Sequence, residues 1–309
     1  MKAKGDAGAP FEELAAEVHW LSVLLAAGLD PMTAVRALAE ESPAWRAAAG
    51  CASPAEVPDA LRGASEAAAG VPAGSGPQRA WATVAATWSV AVETGAPLAA
   101  TLERSAHDLR AHADVERQID VALAGPIATA RTVAFLPLAG LGLGVLLGVD
   151  VLGIVFGSVP GAAAAALGIG GLVAGTRWNR RLIAAARIRD VHAGIGPELL
   201  ALALSGGASP DRALTLVAEA ARECGLEAAD AEAESTLAFA RRAGVPASAL
   251  LRGDAARARR VALTDGLRSA AVLGTRLLAP LAVCFLPAFV LLGVVPLILG
   301  ILRDVLAAF

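Results

Sequence analysis

The chain has 309 residues and a formal net charge of −3, with 56% of residues hydrophobic and only 18% charged, against about 25% charged in ordinary globular domains. So small a charge, with no basic tail, excludes the electrostatic footprint of a nucleic-acid binder. The mean hydropathy of +0.60 points instead to lipid.

Residues 1–10 form a polar tail. It has no apolar core behind Lys2 and Lys4, so a cleaved signal peptide is not expected. Residues 11–131 read as a first helical bundle. Leu14, Val18, Leu21 and Leu25 recur at helical spacing, Trp81, Val84 and Trp88 open another helix, and Leu98, Leu102 and Leu109 mark a third. Within it, the Ala-, Pro-, Gly- and Ser-rich stretch 43–77 reads as a loose loop. Residues 132–176 hold two apolar runs, Thr132–Val149 and Val151–Thr176, separated by Asp150. Each is near the 20 residues a bilayer demands, so together they predict a transmembrane hairpin.

A second helical bundle is expected over 177–269 and a third span over 270–303, with 304–309 as a short tail. Pro280, Pro287 and Pro296 lie in that last span, where neighbouring helices can satisfy the freed carbonyls. No segment alternates with period two, so the fold class is an all-α membrane protein. Arg177, Arg180, Arg181, Arg187 and Arg189 follow the second span, whereas the Asp150 turn has no basic residue. The positive-inside rule then places both bundles and the N-terminus in the cytoplasm, and the C-terminus outside.

The chain repeats itself. Ala27-Gly28-Leu29-Asp30-Pro31 lies over Gly206-Gly207-Ala208-Ser209-Pro210, and Glu40 then meets Glu219. Each copy spells a glycine stop, an Asp or Ser cap and a proline in the next first turn. Glu93-Thr94-Gly95-Ala96-Pro97 lies over Arg242-Ala243-Gly244-Val245-Pro246, and Phe135-Leu136-Pro137 over Phe285-Leu286-Pro287. The offset falls from 179 (Gly207 minus Gly28) to 149 (Gly244 minus Gly95). The first copy thus carries about 30 extra residues, a length the 43–77 stretch accounts for.

Catalytic chemistry is not expected, and neither a cofactor nor a metal. With two lysines, both N-terminal, the chain cannot be a P-loop ATPase. His107 and His112 stand five apart and fall on different helix faces. Cys51, Cys224 and Cys284 form no CxxC pair, so they read as bystander thiols. Gly140, Gly144, Gly148, Gly157, Gly161, Gly171 and Gly175 are spaced for close packing of membrane helices, on each other or on a second subunit. The mixed charges from Glu103 to Arg117 read as a solvated face. Glu93 is a candidate partner contact, and the basic run of Arg252, Arg257, Arg259 and Arg260 is the candidate contact with anionic lipid or an acidic partner.

On these motifs, from Leu25–Pro31 and Glu93–Leu98 to Gly207–Glu219 and Gly244–Leu251, the chain resembles the type II secretion system F-domain family. The small TadB/TadC-type platform proteins of tight-adherence pili are the nearest in pattern. The resemblance implies an inner- or plasma-membrane platform that meets a cytoplasmic hexameric secretion ATPase and helps move pilin or pseudopilin subunits out of the bilayer. A second F-domain protein or another copy of the chain would be its membrane partner. Arg242 stands where the first copy has Glu93, so no role needing an acid there in both copies transfers. The alternative is a transporter or channel subunit, against which stands the lack of a charge central to the spans.

Overall fold

The computed structural model describes residues 8–67, 76–146, 153, 159–186, 193–226, 231–295 and 298. Among these, the chain is helical and contains no strand. We number the helices α1 (Ala9–Ala26), α2 (Pro31–Glu41), α3 (Arg46–Ala49), α4 (Val57–Ala67), α5 (Gly76–Thr94), α6 (Leu98–Leu146), α7 (Val159–Ala186), α8 (Ile195–Ser205), α9 (Pro210–Glu223), α10 (Ala231–Ala243) and α11 (Ala247–Arg276). The chain divides into two compact units, one of residues 1–117 and 188–265, the other of 118–187 and 266–309.

The first unit contains one set of helices, α1, α2, α5 and the start of α6, and a second set, α8, α9, α10 and the start of α11. Their turns share backbone conformation and hydrogen bonds. Gly28 and Gly207 take φ of +90° and +92°, the left-handed region that only glycine enters cheaply. In the first turn the Gly28 N–H donates to Leu25 O at 3.0 Å and the Leu29 N–H to Leu24 O at 3.2 Å; in the second, Gly207 donates to Leu204 O at 3.1 Å and Ala208 to Ala203 O at 3.2 Å. This is the Schellman stop, which satisfies the last carbonyls of the helix. The next helix then starts on a side-chain cap, with Asp30 accepting from the Thr33 N–H and Ser209 from the Arg212 N–H. Gly95 and Gly244 form the second pair of turns, at φ +68° and +67°.

Burial follows the same register. Val84, Trp88, Ala91, Leu102 and Ala106 are buried, and so are Ala233, Leu237, Ala240, Leu251 and Ala255, each 149 positions on. The two sets are not separate bodies. One face of α5 packs in the first core, while its Ala86, Val90 and Ala91 belong to the second.

The stretch expected as a loose loop is ordered as far as residue 67. Pro43–Trp45 and Pro54–Glu56 are single 3₁₀ turns that lead into α3 and α4. Trp45, Val57 and Leu61 are fully buried. The Trp45 Nε1–H donates to Glu17 Oε2 at 3.1 Å, Ser42 Oγ donates to Glu17 Oε1 at 2.5 Å, and the Trp88 Nε1–H donates to Pro54 O at 2.8 Å. Burial holds the Glu17 carboxyl above the usual carboxylate range against the pull of both donors. The prolines that look like loop residues here sit at first helical positions, where a missing N–H costs nothing. Residues 68–77 include 68–75, which lie outside the described residues.

In the second unit, α7 packs on the C-terminal apolar segment. That segment alternates α-helix (Leu278–Pro280, Leu286–Phe289) with π-helix (Leu281–Phe285, Val290–Val294). Pro280 and Pro287 lack a donor and crowd the carbonyl four residues back, and a wider π turn relieves that crowding. Two helices, Val159–Leu182 and Ala247–Val294, are long and apolar enough to cross a membrane. Only 22% and 28% of their apolar windows are buried, unlike the core helix of a water-soluble domain. The expected first span falls at the end of α6; its residues 147–149, the Asp150 turn and 151–152 lie outside the described residues. The helix of the second expected span is described from Val159 to Ala186, and residues 154–158 also lie outside the described residues.

Candidate functional site

The polar centre of the first unit lies where α5, α6, α8 and α11 meet, around a cleft of about 100 Å³. Thr83, Thr87, Ser105, Arg104, Asp108, Glu198 and Arg259 supply its polar lining. Arg259 forks between two carboxylates, with Nη1 at 3.0 Å from Asp108 Oδ2 and Nη2 at 3.3 Å from Glu198 Oε2. Arg104 Nε reaches Glu198 Oε1 at 3.5 Å. Two guanidinium groups and two carboxylates make the cluster neutral. The planar fork of arginine suits this double recognition, whereas a lysine would serve only as a point charge.

Glu198 is 9% exposed, so its charge depends on these partners. Burial holds the Asp108 carboxyl above its ordinary range, opposed by Arg259 and reinforced by Glu198, with His107 and Arg104 pulling it down. Asp108 and Arg104 come from the first helix set, Glu198 and Arg259 from the second. The cluster therefore clamps the two copies together. His112, beside it, is buried with its ring 5.0 Å from that of Phe11.

Other candidate residues fall elsewhere. Gly28, Asp30, Pro31, Gly95, Pro97, Gly207, Ser209, Pro210, Gly244 and Pro246 build the four turns, and Glu40, Glu93, Glu219 and Arg242 lie exposed on helix surfaces. Three of the four arginines in the basic run also have partners within the protein. Arg252 donates to Ser205 Oγ at 2.6 Å, Arg257 pairs with Glu232, and Arg259 sits in the clamp. Arg260 remains exposed. The charged face from Glu103 to Arg117 is likewise not all solvated, since Glu116 is 5% exposed and Asp108 is engaged.

The glycine stripe of α7 meets the C-terminal segment. A Cβ on Gly171 would lie 3.2 Å from Cys284 O, and one on Gly175 2.7 Å from the Phe285 ring. Gly168 belongs to the same stripe, since a Cβ there would stand 2.5 Å from Leu292 Cγ. The seven-residue spacing of Gly161, Gly168 and Gly175 is the signal that reveals it, because two helical turns return to one face. Gly148 and Gly157 lie outside the described residues. Gly140 and Gly144 lie in α6, where their surroundings are not described. Sequence reasoning also missed Glu198, whose signal is a lone carboxylate inside the apolar run of α8.

A helical fold with two long apolar helices that stay largely uncovered is consistent with a membrane protein. Residues 19–146 match the family model for type II secretion system (T2SS), protein F. That segment, from within α1 to the end of α6, is similar to the type II secretion protein F family. No curated protein and no solved structure matches the chain.

Proposed function

We propose that the chain is a platform protein of a type II secretion or tight-adherence pilus assembly machine, multi-pass in the inner or plasma membrane. The observation that carries this reading is the protein F match over residues 19–146, joined to two uncovered apolar helices. The TadB/TadC type is favoured by the two turn pairs, at Gly28 and Gly207 and at Gly95 and Gly244. Both copies lie on the cytoplasmic side in this reading, because the arginines after Thr176 would stay inside.

Without a P-loop the platform makes no force of its own, so a cytoplasmic hexameric ATPase is its expected engine. Pilin or pseudopilin subunits are its cargo, and a second F-domain protein or another copy its membrane partner. Arg260 and the outer edge of Arg257 are the basic groups left for lipid or an acidic partner. The neutral clamp at Arg259 would keep the two copies moving as one piece, so a push received by either is passed to both.

Deleting the gene should abolish surface fibres or the secreted substrate, and the chain should co-purify with the secretion ATPase from detergent-solubilised membranes. Normal fibres and normal secretion in the deletion strain would refute the proposal.

A further inference from the structure

The contact that fuses the two copies has unoccupied counterparts on both of them. In α1, Leu21 and Ser22 are buried in their own bundle, and the corresponding Leu200 and Ala201 of α8 are buried likewise. But α8 also buries Leu199, Leu202 and Ala203, at 1%, 1% and 0% exposure. They share a cluster with Ala86 and Val90 of α5. Gly206 closes this contact, since a Cβ there would lie 2.6 Å from Thr94 O.

The repeat maps each side onto a free face. The offset of 179 carries Leu199, Leu202 and Gly206 back to Trp20, Val23 and Ala27 of α1. Trp20 and Val23 are both 52% exposed. The offset of 149 carries Ala86, Val90 and Thr94 forward to Ser235, Phe239 and Ala243 of α10, and Phe239 is 52% exposed. Each half of an existing interface is thus repeated, apolar and uncovered, at the other end of the same unit.

We propose that the α1 face of one chain docks on the α10 face of a second copy, head to tail, repeating the contact of α8 with α5. The substitutions between copies complement each other. Ala27 has the methyl that Gly206 lacks, and it faces Ala243, which is smaller than Thr94. Trp20 and Phe239 supply the large aromatic anchors that dominate protein interfaces. A contact between two different faces is heterologous, so it closes into a ring or extends as a row.

The ion clamp does not repeat. Asp108 and Arg259 correspond to Arg257, which is already paired with Glu232, and Arg110. The contact between chains therefore lacks the ion pair of the internal one and rests on its apolar residues.

The inference rests on the internal repeat and not on the platform reading. Its test uses the full chain in detergent, with two tagged preparations carrying Val23→Cys and Ser235→Cys. Mixed and treated with a short bis-maleimide, they should give a mixed dimer well above the level of either preparation alone. Trp20→Ser and Phe239→Ser should each weaken association on the order of tenfold or more, with helical circular dichroism unchanged. The proposal is overturned if the mixture crosslinks no better than its parts, if neither serine variant weakens association, or if the chain stays monomeric because these faces take another partner. A chain that associates in this way yet supports no fibre assembly keeps the interface and loses the platform.

Discussion

Replacing Arg259 with leucine should destabilise the protein by about 2–4 kcal/mol, because it leaves Asp108 and Glu198 facing each other without the cation that joins them. Breaking a buried pair from one side typically costs about 3–5 kcal/mol. Here Arg259 and Asp108 keep 26% and 36% side-chain exposure, so solvent screening lowers the figure. Arg259→Lys should fall between, as one ammonium cannot fork to both acids. Combining Arg259→Leu with Asp108→Leu should cost less than the sum of the two, since the second change removes the charge that the first strands.

The Arg259→Leu loss should depend on pH. Asp108 already holds its proton more tightly in the folded chain than its ordinary value allows, and loss of Arg259 tightens it further. A carboxyl raised on folding contributes stability that is present at low pH and lost as pH rises through the folded value. The deficit of the variant should therefore be largest near neutrality and narrow as pH falls through the carboxylate range. Unfolding midpoints in detergent at several pH values measure this. A deficit that is flat with pH would show that the clamp is not where the energy lies.

Trp45→Ala should cost about 3–5 kcal/mol, the usual penalty for emptying a large aromatic site in a packed core. Trp45 is fully buried and its ring lies 5.6 Å from that of Trp81. Its indole also donates to Glu17, a carboxylate already strained by burial. Trp45→Phe keeps most of the volume and strands only that hydrogen bond, so its loss should be about 1–3 kcal/mol. A loose loop at 43–67 would tolerate either change within about 0.5 kcal/mol, so denaturation of the two variants separates the alternatives. Protease access to residues 43–67 should rise in parallel.

The turns were the most legible part of the chain. Gly28, Asp30 and Pro31 spell out a stop, a cap and a start through their own chemistry, and Gly207, Ser209 and Pro210 repeat them. The short helices of 43–67 were illegible because their evidence is tertiary: only the pocket that accepts Trp45 tells an ordered Pro- and Ala-rich stretch from a loop. The clamp was hidden for a related reason. Arg104 and Asp108 share a helix face that reads as solvated until α8 brings Glu198 onto it, about 90 residues further on. Gly168 could have been found from its heptad partners. That α7 packs on the C-terminal segment could not, because small residues announce a close approach without naming the neighbour.

In the proposed topology the two helix sets lie on the arginine side of a membrane that the apolar helices cross. Labelling with a membrane-impermeant maleimide tests it most directly. Burial pushes the Cys51 and Cys224 thiols up, which makes them slow reporters, so cysteines placed at Glu103, Arg242 and Asp150 serve better. In intact cells Asp150→Cys should label, while Glu103→Cys and Arg242→Cys should label only after permeabilisation. Labelling of Glu103→Cys or Arg242→Cys from outside the intact cell would contradict the account.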